Sequence, residues 1–405
     1  MQRLKLTVTM ICFWLVSAAN AFTPEVATVE TLPDNQGEEW FWISGNRAPS
    51  FADGQAYLFS ETGKRLGQVS TGFWFNSLVN AHKRDEIVTV ETYFSRGTRG
   101  ERTDVVVMRD AITLNVKGEI EIPGKRMNAV RNDGLAVLTE DERYLLVVNY
   151  TPAQSISIVD LDKAMFVEEI ETPGCSVLYA AGNRDFYSIC GNGGFMQIKI
   201  GDDGRVVSRT RSQPLFDPVN DFLTISASRI GNTWYFVSRQ NNVYAILMDG
   251  DRIELLNTWS LTTQSEREDE WIISGFQHTA THAERGELFV LMHQGAPDTF
   301  EEPGTHVWVY DVKTQQKARE IELDGLGGSS GIAVTQDSTP RLYTLDFHFL
   351  IPDLFAMWVY FMDGEAMLQE MTRQRASAYD AKSGRKLFHS DLVPNGGFVF
   401  YIKTW

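Results

Sequence analysis

His278 and His282, four residues apart in His278-Thr279-Ala280-Thr281-His282, are the first place in this chain where residue type and spacing suggest chemistry. On a helix that spacing would set two imidazoles on one face, within reach of a metal ion. Here the glutamate of the metalloprotease pattern is missing and the flanks are strand-like, so no metal site is expected. Gly191-Asn192-Gly193-Gly194 is glycine-rich, but no Lys-Ser/Thr follows and no helix opens, so it reads as a turn rather than a phosphate cradle. Glu266-Arg267-Glu268-Asp269-Glu270 reads as a solvated loop. Nucleophile-elbow, Walker, H-E-x-x-H and C-x-x-C-H patterns are missing. No catalytic residue is therefore expected in this chain. Cys175 and Cys190 each sit beside a glycine, near the ends of a hairpin expected from Val177–Tyr179 and Phe186–Ile189. Antiparallel strands would bring them close enough to bridge, and a free buried pair is the alternative. No third soft ligand lies near enough for a metal site.

The elements around these residues are strands. One phrase recurs seven times: an apolar run, a small or acidic residue, a polar turn and a second strand-like run. Its anchors fall at Ser60, Asp110, Asp160, Gly201, Asp249, Asp311 and Asp380, spaced 50, 50, 41, 48, 62 and 69 residues apart. A repeat near 50 residues built of strand and turn means radial repetition of small sheets, so the fold expected is all-β, a seven-bladed β-propeller. Each repeat is expected to carry an inner strand after an acidic turn, as in Tyr144–Val148 after Glu140–Arg143 and Leu288–Leu291 after Glu284–Gly286. A short helical turn is expected within Thr262–Asp269. The longest interval holds an apolar stretch, Phe347–Met371, read as an insertion in the last blade that serves as extra core or as an exposed contact patch.

A formal net charge of −16 argues against nucleic acid, which needs clustered Lys and Arg, and permits steering toward a cationic partner or substrate. Arg3 and Lys5, the apolar run Leu6–Val16 and Ala19-Asn20-Ala21 read as a signal peptide over residues 1–21, with an uncleaved anchor as the alternative. The remaining 405 − 21 = 384 residues (22–405) read as one propeller domain with no membrane span. Export agrees with a cysteine pair in an oxidising compartment.

Several segments resemble the heavy subunit of the quinoprotein amine dehydrogenases, the family that includes aromatic amine and methylamine dehydrogenases. They are Thr92–Val106, Pro123-Gly124-Lys125-Arg126, Ser155–Asp160, Ser188–Gly194 and Trp271–Phe276 followed by His282 and Leu288–His293. The details are closer to the aromatic amine branch. The resemblance implies a periplasmic α2β2 enzyme that oxidises primary amines to aldehydes. Its light (beta) subunit would carry tryptophan tryptophylquinone and the catalytic base, and a blue copper protein, amicyanin- or azurin-like, would accept the electrons. Amine oxidation needs a quinone carbonyl that no unmodified side chain here supplies, which accounts for the missing catalytic set.

One position carries over. Gly72-Phe73 in Val69–Asn76 matches the stretch where the family places a phenylalanine at the substrate channel, so the resemblance implies that Phe73 gates entry, with Trp74 and Phe75 able to share the role. Blade-core packing is the alternative for Phe73. Cys175 and Cys190 also match the family's heavy-chain disulfide. The chain departs from the family at Phe347–Met371 and at Ile272-Ile273-Ser274-Gly275, where a proline and a glycine pair are expected. A non-enzymatic periplasmic propeller that serves as a protein-binding scaffold is the rival reading.

Overall fold

The recurring phrase is the third strand of each blade and the turn that follows it. Asp110, Asp311 and Asp380 each accept backbone N–H bonds two and three residues ahead at 2.7–3.1 Å, and Asp160 accepts from the Lys163 N–H. Ser60 does the same with its hydroxyl toward Thr62 and Lys64. A short acceptor at the strand end nucleates the turn, so the phrase is legible in the residues themselves.

The structure is a computed structural model that describes residues 31–35, 37–47, 52–324, 327–349, 372–392 and 397–405. The expected signal peptide and nearly all of the expected insertion lie outside the described residues. Leu32–Trp405 forms one compact unit. Its strands form seven antiparallel sheets, the expected seven-bladed propeller. Blades 2 to 5 are consecutive four-strand units, from Ser77–Ala81 through to Arg252–Ser260. Blade 7 is Ser329–Val334, Arg341–Phe349, Thr372–Asp380 and Lys386–Asp391. Blade 1 joins the two ends of the chain: Gly397–Thr404 is its innermost strand and pairs with Phe41–Arg47.

The strands expected after acidic turns are the second of four in their blades rather than the innermost. Tyr144–Asn149 and Glu287–Gln294 are buried almost end to end because each lies between two sheet neighbours and two adjacent blades. Apolar clusters fill these spaces between blades, one of them joining Tyr144, Leu146, Phe186, Phe195 and Phe236. Blade 6 differs. Trp271–Ile273 and Thr279–His282 both pair with Glu287–Gln294, so its inner strand is interrupted at residues 274–278. The expected helical turn is Gln264–Glu268, closed at its start by a reciprocal capping box between Thr263 and Glu266.

Cys175 and Cys190 are register partners in the first hairpin of blade 4 and are joined by a disulfide. Closing a loop of 15 residues contributes about 3 kcal/mol through the unfolded chain. No helix among the described residues is long and apolar enough to cross a membrane.

Candidate functional site

In an antiparallel four-strand blade, the loop from the outer strand to the next blade and the loop between second and third strands emerge at the same end. Loops of these two kinds, with the ends of inner strands, surround a cavity of about 630 Å³. Its wall draws on Phe75, Arg131, Phe222, Phe276, Phe300 and Phe400, contributed by blades 1, 5 and 6 and by the connections into blades 2 and 3. The interruption of the blade 6 inner strand is what presents Gly275, Phe276 and His278 to this space.

Phe73, Trp74 and Phe75 ride on the loop between Arg65–Ser70 and Ser77–Ala81. Its geometry needs a glycine at 72. Gly72 has φ +74°, and a Cβ there would meet the Thr92 carbonyl oxygen at 2.6 Å. The Phe73 N–H donates to that same carbonyl at 2.7 Å, and Asn76 Nδ2 donates to Thr71 Oγ1 at 2.8 Å across the loop base. Trp74 holds φ +64°, a conformation that side chains other than glycine rarely adopt and that costs about 1–3 kcal/mol. The rings form a run: Phe94 edge-on to Phe73 at 5.0 Å, then Trp74, then Phe75, then Phe400 at 5.4 Å. Phe75 lines the cavity; Phe73 and Trp74 are half-buried next along the run.

Arg126 holds this loop from beneath. Its Nη1 donates to the Phe75 carbonyl at 2.9 Å, and burial lowers its pKa to about 10. Its backbone N–H donates to Asp104 Oδ2 at 2.8 Å. The buried Asp104 also accepts two bonds from Arg102 at 2.9 Å and one from Thr92 Oγ1 at 2.7 Å. The family-like segments Thr92–Val106 and Pro123–Arg126 therefore meet in one network under the aromatic loop.

The cavity's ionisable groups are few. His278 is buried, with Nε2 at 2.8 Å from Thr224 Oγ1 and Nδ1 at 3.1 Å from the Gly275 carbonyl; burial lowers its pKa to about 4, so it is neutral near pH 7. His282 bonds the Asp337 carbonyl instead, and no metal-binding cluster occurs among the described residues. Arg131 packs against both Phe75 and Phe400, its guanidinium carbon 3.6 and 3.2 Å from the ring centroids, and the two rings stand edge-to-face to one another. Burial lowers its pKa to about 8.

Of the aromatic residues singled out from sequence, Phe75 lies on the cavity wall, while Phe73 and Trp74 lie beside it and do not line it. Phe276 and Arg126 lay unremarked inside quoted segments. Arg131 and Phe400 carried no local signal, because their pairing exists only across the channel mouth.

Fold and site define a class: a seven-bladed propeller with an aromatic cavity at the loop end of its channel and no catalytic set among the described residues. Residues 50–350 match the family described as Methylamine dehydrogenase heavy chain (MADH), and the chain belongs to this family. It is 29% identical to the methylamine dehydrogenase heavy chain of Methylobacillus flagellatus over 69% of this chain and 70% of the relative. It is 28% identical to that of Methylorubrum extorquens over 72% and 71%. Among solved structures it resembles a putative 6-phosphogluconolactonase from Bacteroides uniformis, with TM-score 0.56 and 11% identity over 91% of this chain and 100% of that one, a likeness of fold alone.

Proposed function

We propose that this chain is the heavy subunit of a periplasmic amine dehydrogenase, an α2β2 enzyme whose light subunit carries tryptophan tryptophylquinone. The quinone supplies the carbonyl and the two-electron acceptor for oxidation of a primary amine to an aldehyde. Electrons then leave to a blue copper protein. The observation that carries this reading is the aromatic-walled cavity in a heavy-chain family member: it can exclude water from a neutral amine but offers no group that could accept electrons. This chain's part is to form the channel wall and the seat for the light subunit. Arg126 and Gly72 set the loop, and Phe73 and Trp74 narrow the approach to Phe75.

Purification from cells that express this chain with its gene neighbours should yield a complex with a small, cysteine-rich, quinone-absorbing polypeptide. Isolation of the chain as a lone monomer would instead favour a scaffold that has lost its enzyme.

If Phe73 sorts substrates, Phe73→Ala should shift the ratio of kcat/KM for small and aromatic amines by about tenfold, the scale of hydrophobic-pocket discrimination. An unchanged ratio with a lowered melting temperature would make Phe73 a packing residue only.

A further inference from the structure

Arg131, partly buried on the cavity wall, stands apart from Arg102, Arg109 and Arg126. Arg109 pairs with Glu91, Arg102 with Asp104, and Arg126 reaches the Phe75 carbonyl. The Arg131 guanidinium has no hydrogen bond or ion pair among the described residues, and its Nε is buried without an acceptor. Among the described residues, the acidic neighbours are engaged elsewhere or unpaired with it. Asp133 is taken by Lys403 at 2.8 Å, and Glu301, on the cavity wall, makes no ion pair with it. Phe75 and Phe400, edge-to-face with each other at 69°, both lie against the guanidinium and offer its N–H donors no oxygen acceptor. A planar fork of donors matches a planar two-oxygen acceptor, a carboxylate. Leaving such a cation unpaired is costly, and a carboxylate arriving from outside would relieve that cost.

The surroundings favour a polypeptide as the source of that carboxylate. Val130 and Phe276 on the cavity wall are 40% and 53% exposed, and Tyr150 and Val219, on loops of the same end, are 50% and 83% exposed. Exposed apolar side chains around a pocket with an arginine and aromatic rings at its centre are what a protein interface presents before assembly. A free small anion would need the pocket but not this rim.

We propose that Arg131 is a docking clamp for a carboxylate, from an acidic side chain or a chain terminus, that the light subunit inserts into the cavity on assembly. The proposal rests on the heavy-subunit reading above.

The test uses Arg131→Met and Arg131→Lys heavy chains with wild-type light subunit, reading affinity across a salt series by sedimentation velocity. Isolated R131M should melt no lower than wild type, since it loses an unpaired, partly buried charge. It should bind the light subunit at least about tenfold more weakly, as expected when one partner of a buried charge pair is removed, and with a flatter salt dependence. R131K should fall between the two. Carbodiimide labelling of the complex should find one light-subunit carboxylate protected with wild-type heavy chain and labelled with R131M. R131M that binds as tightly as wild type, with the same salt slope, overturns the clamp while leaving the heavy-subunit reading intact. Wild-type chain that binds no light subunit defeats both. Binding of benzoate that R131M abolishes, with light-subunit affinity unchanged, would assign the cavity to a small anion and also overturn the clamp.

Discussion

Truncation after Leu392 is expected to abolish folding, yielding insoluble or protease-sensitive chain in place of a slightly shorter propeller. Gly397–Thr404 is the innermost strand of blade 1, and without it Phe41–Arg47 becomes an exposed edge along the channel. Val399 and Ile402 are buried, and Trp405 packs against Trp40 and Trp42 at 5.3 and 6.1 Å. Gln277 also depends on this strand: its side chain donates to the Ile402 carbonyl at 2.7 Å and accepts from the Ile402 N–H at 3.1 Å, bracing blade 6 against blade 1. Loss of closure therefore reaches beyond one sheet. Soluble expression, circular dichroism and limited proteolysis would report the result. A truncated chain that melts cooperatively near the full-length temperature would show that closure is dispensable.

Arg109→Met should destabilise the fold by about 3–5 kcal/mol, because it leaves a buried carboxylate without its cation. Glu91 and Arg109 are both buried, with Arg109 Nη1 2.9 Å from Glu91 Oε1 and Nη2 3.1 Å from the Ser70 carbonyl of blade 1. Thr89 and Tyr93 donate the remaining bonds to Glu91, each at 2.5 Å. These bonds stabilise the carboxylate but cannot neutralise it. The double variant Glu91→Gln with Arg109→Met should recover most of the loss, since no uncompensated charge remains. Urea denaturation of the isolated chain measures both. A single-variant loss below about 1 kcal/mol would mean that Glu91 is rehydrated or protonated at little cost, and the pair would then contribute little.

The contrast between Arg109 and Arg131 explains why equal-looking residues were unequally legible. Arg109 lies in the phrase Val106-Val107-Met108-Arg109-Asp110, whose turn acceptor Asp110 acts on residues two and three places away. Interactions of that range leave a pattern in the chain, and five of the seven repeats carry such a turn acceptor, at Ser60, Asp110, Asp160, Asp311 and Asp380. The cysteine hairpin was legible for the same reason: Cys175 and Cys190 are paired by one turn of antiparallel chain. Arg131 has no such pattern. Its neighbours Phe75 and Phe400 come from separate connections and strands, and the cavity they wall exists only after the ring of blades closes.

The sequence by itself determined the number of blades, the turns that end their third strands, the disulfide hairpin and a heavy-chain likeness that included the Phe73 loop. Turn chemistry, strand alternation and short hairpins act over a few residues, so residue order alone records them. Tertiary structure decided the innermost strands, the closure of blade 1 by Gly397–Thr404 and the meeting of Phe75, Arg131 and Phe400 at the channel mouth. Inner strands such as Ser329–Val334 are short and rich in small residues, and they are buried only because neighbouring blades crowd the axis. A site assembled from several blades is a property of that crowding, and no stretch of the chain carries it alone.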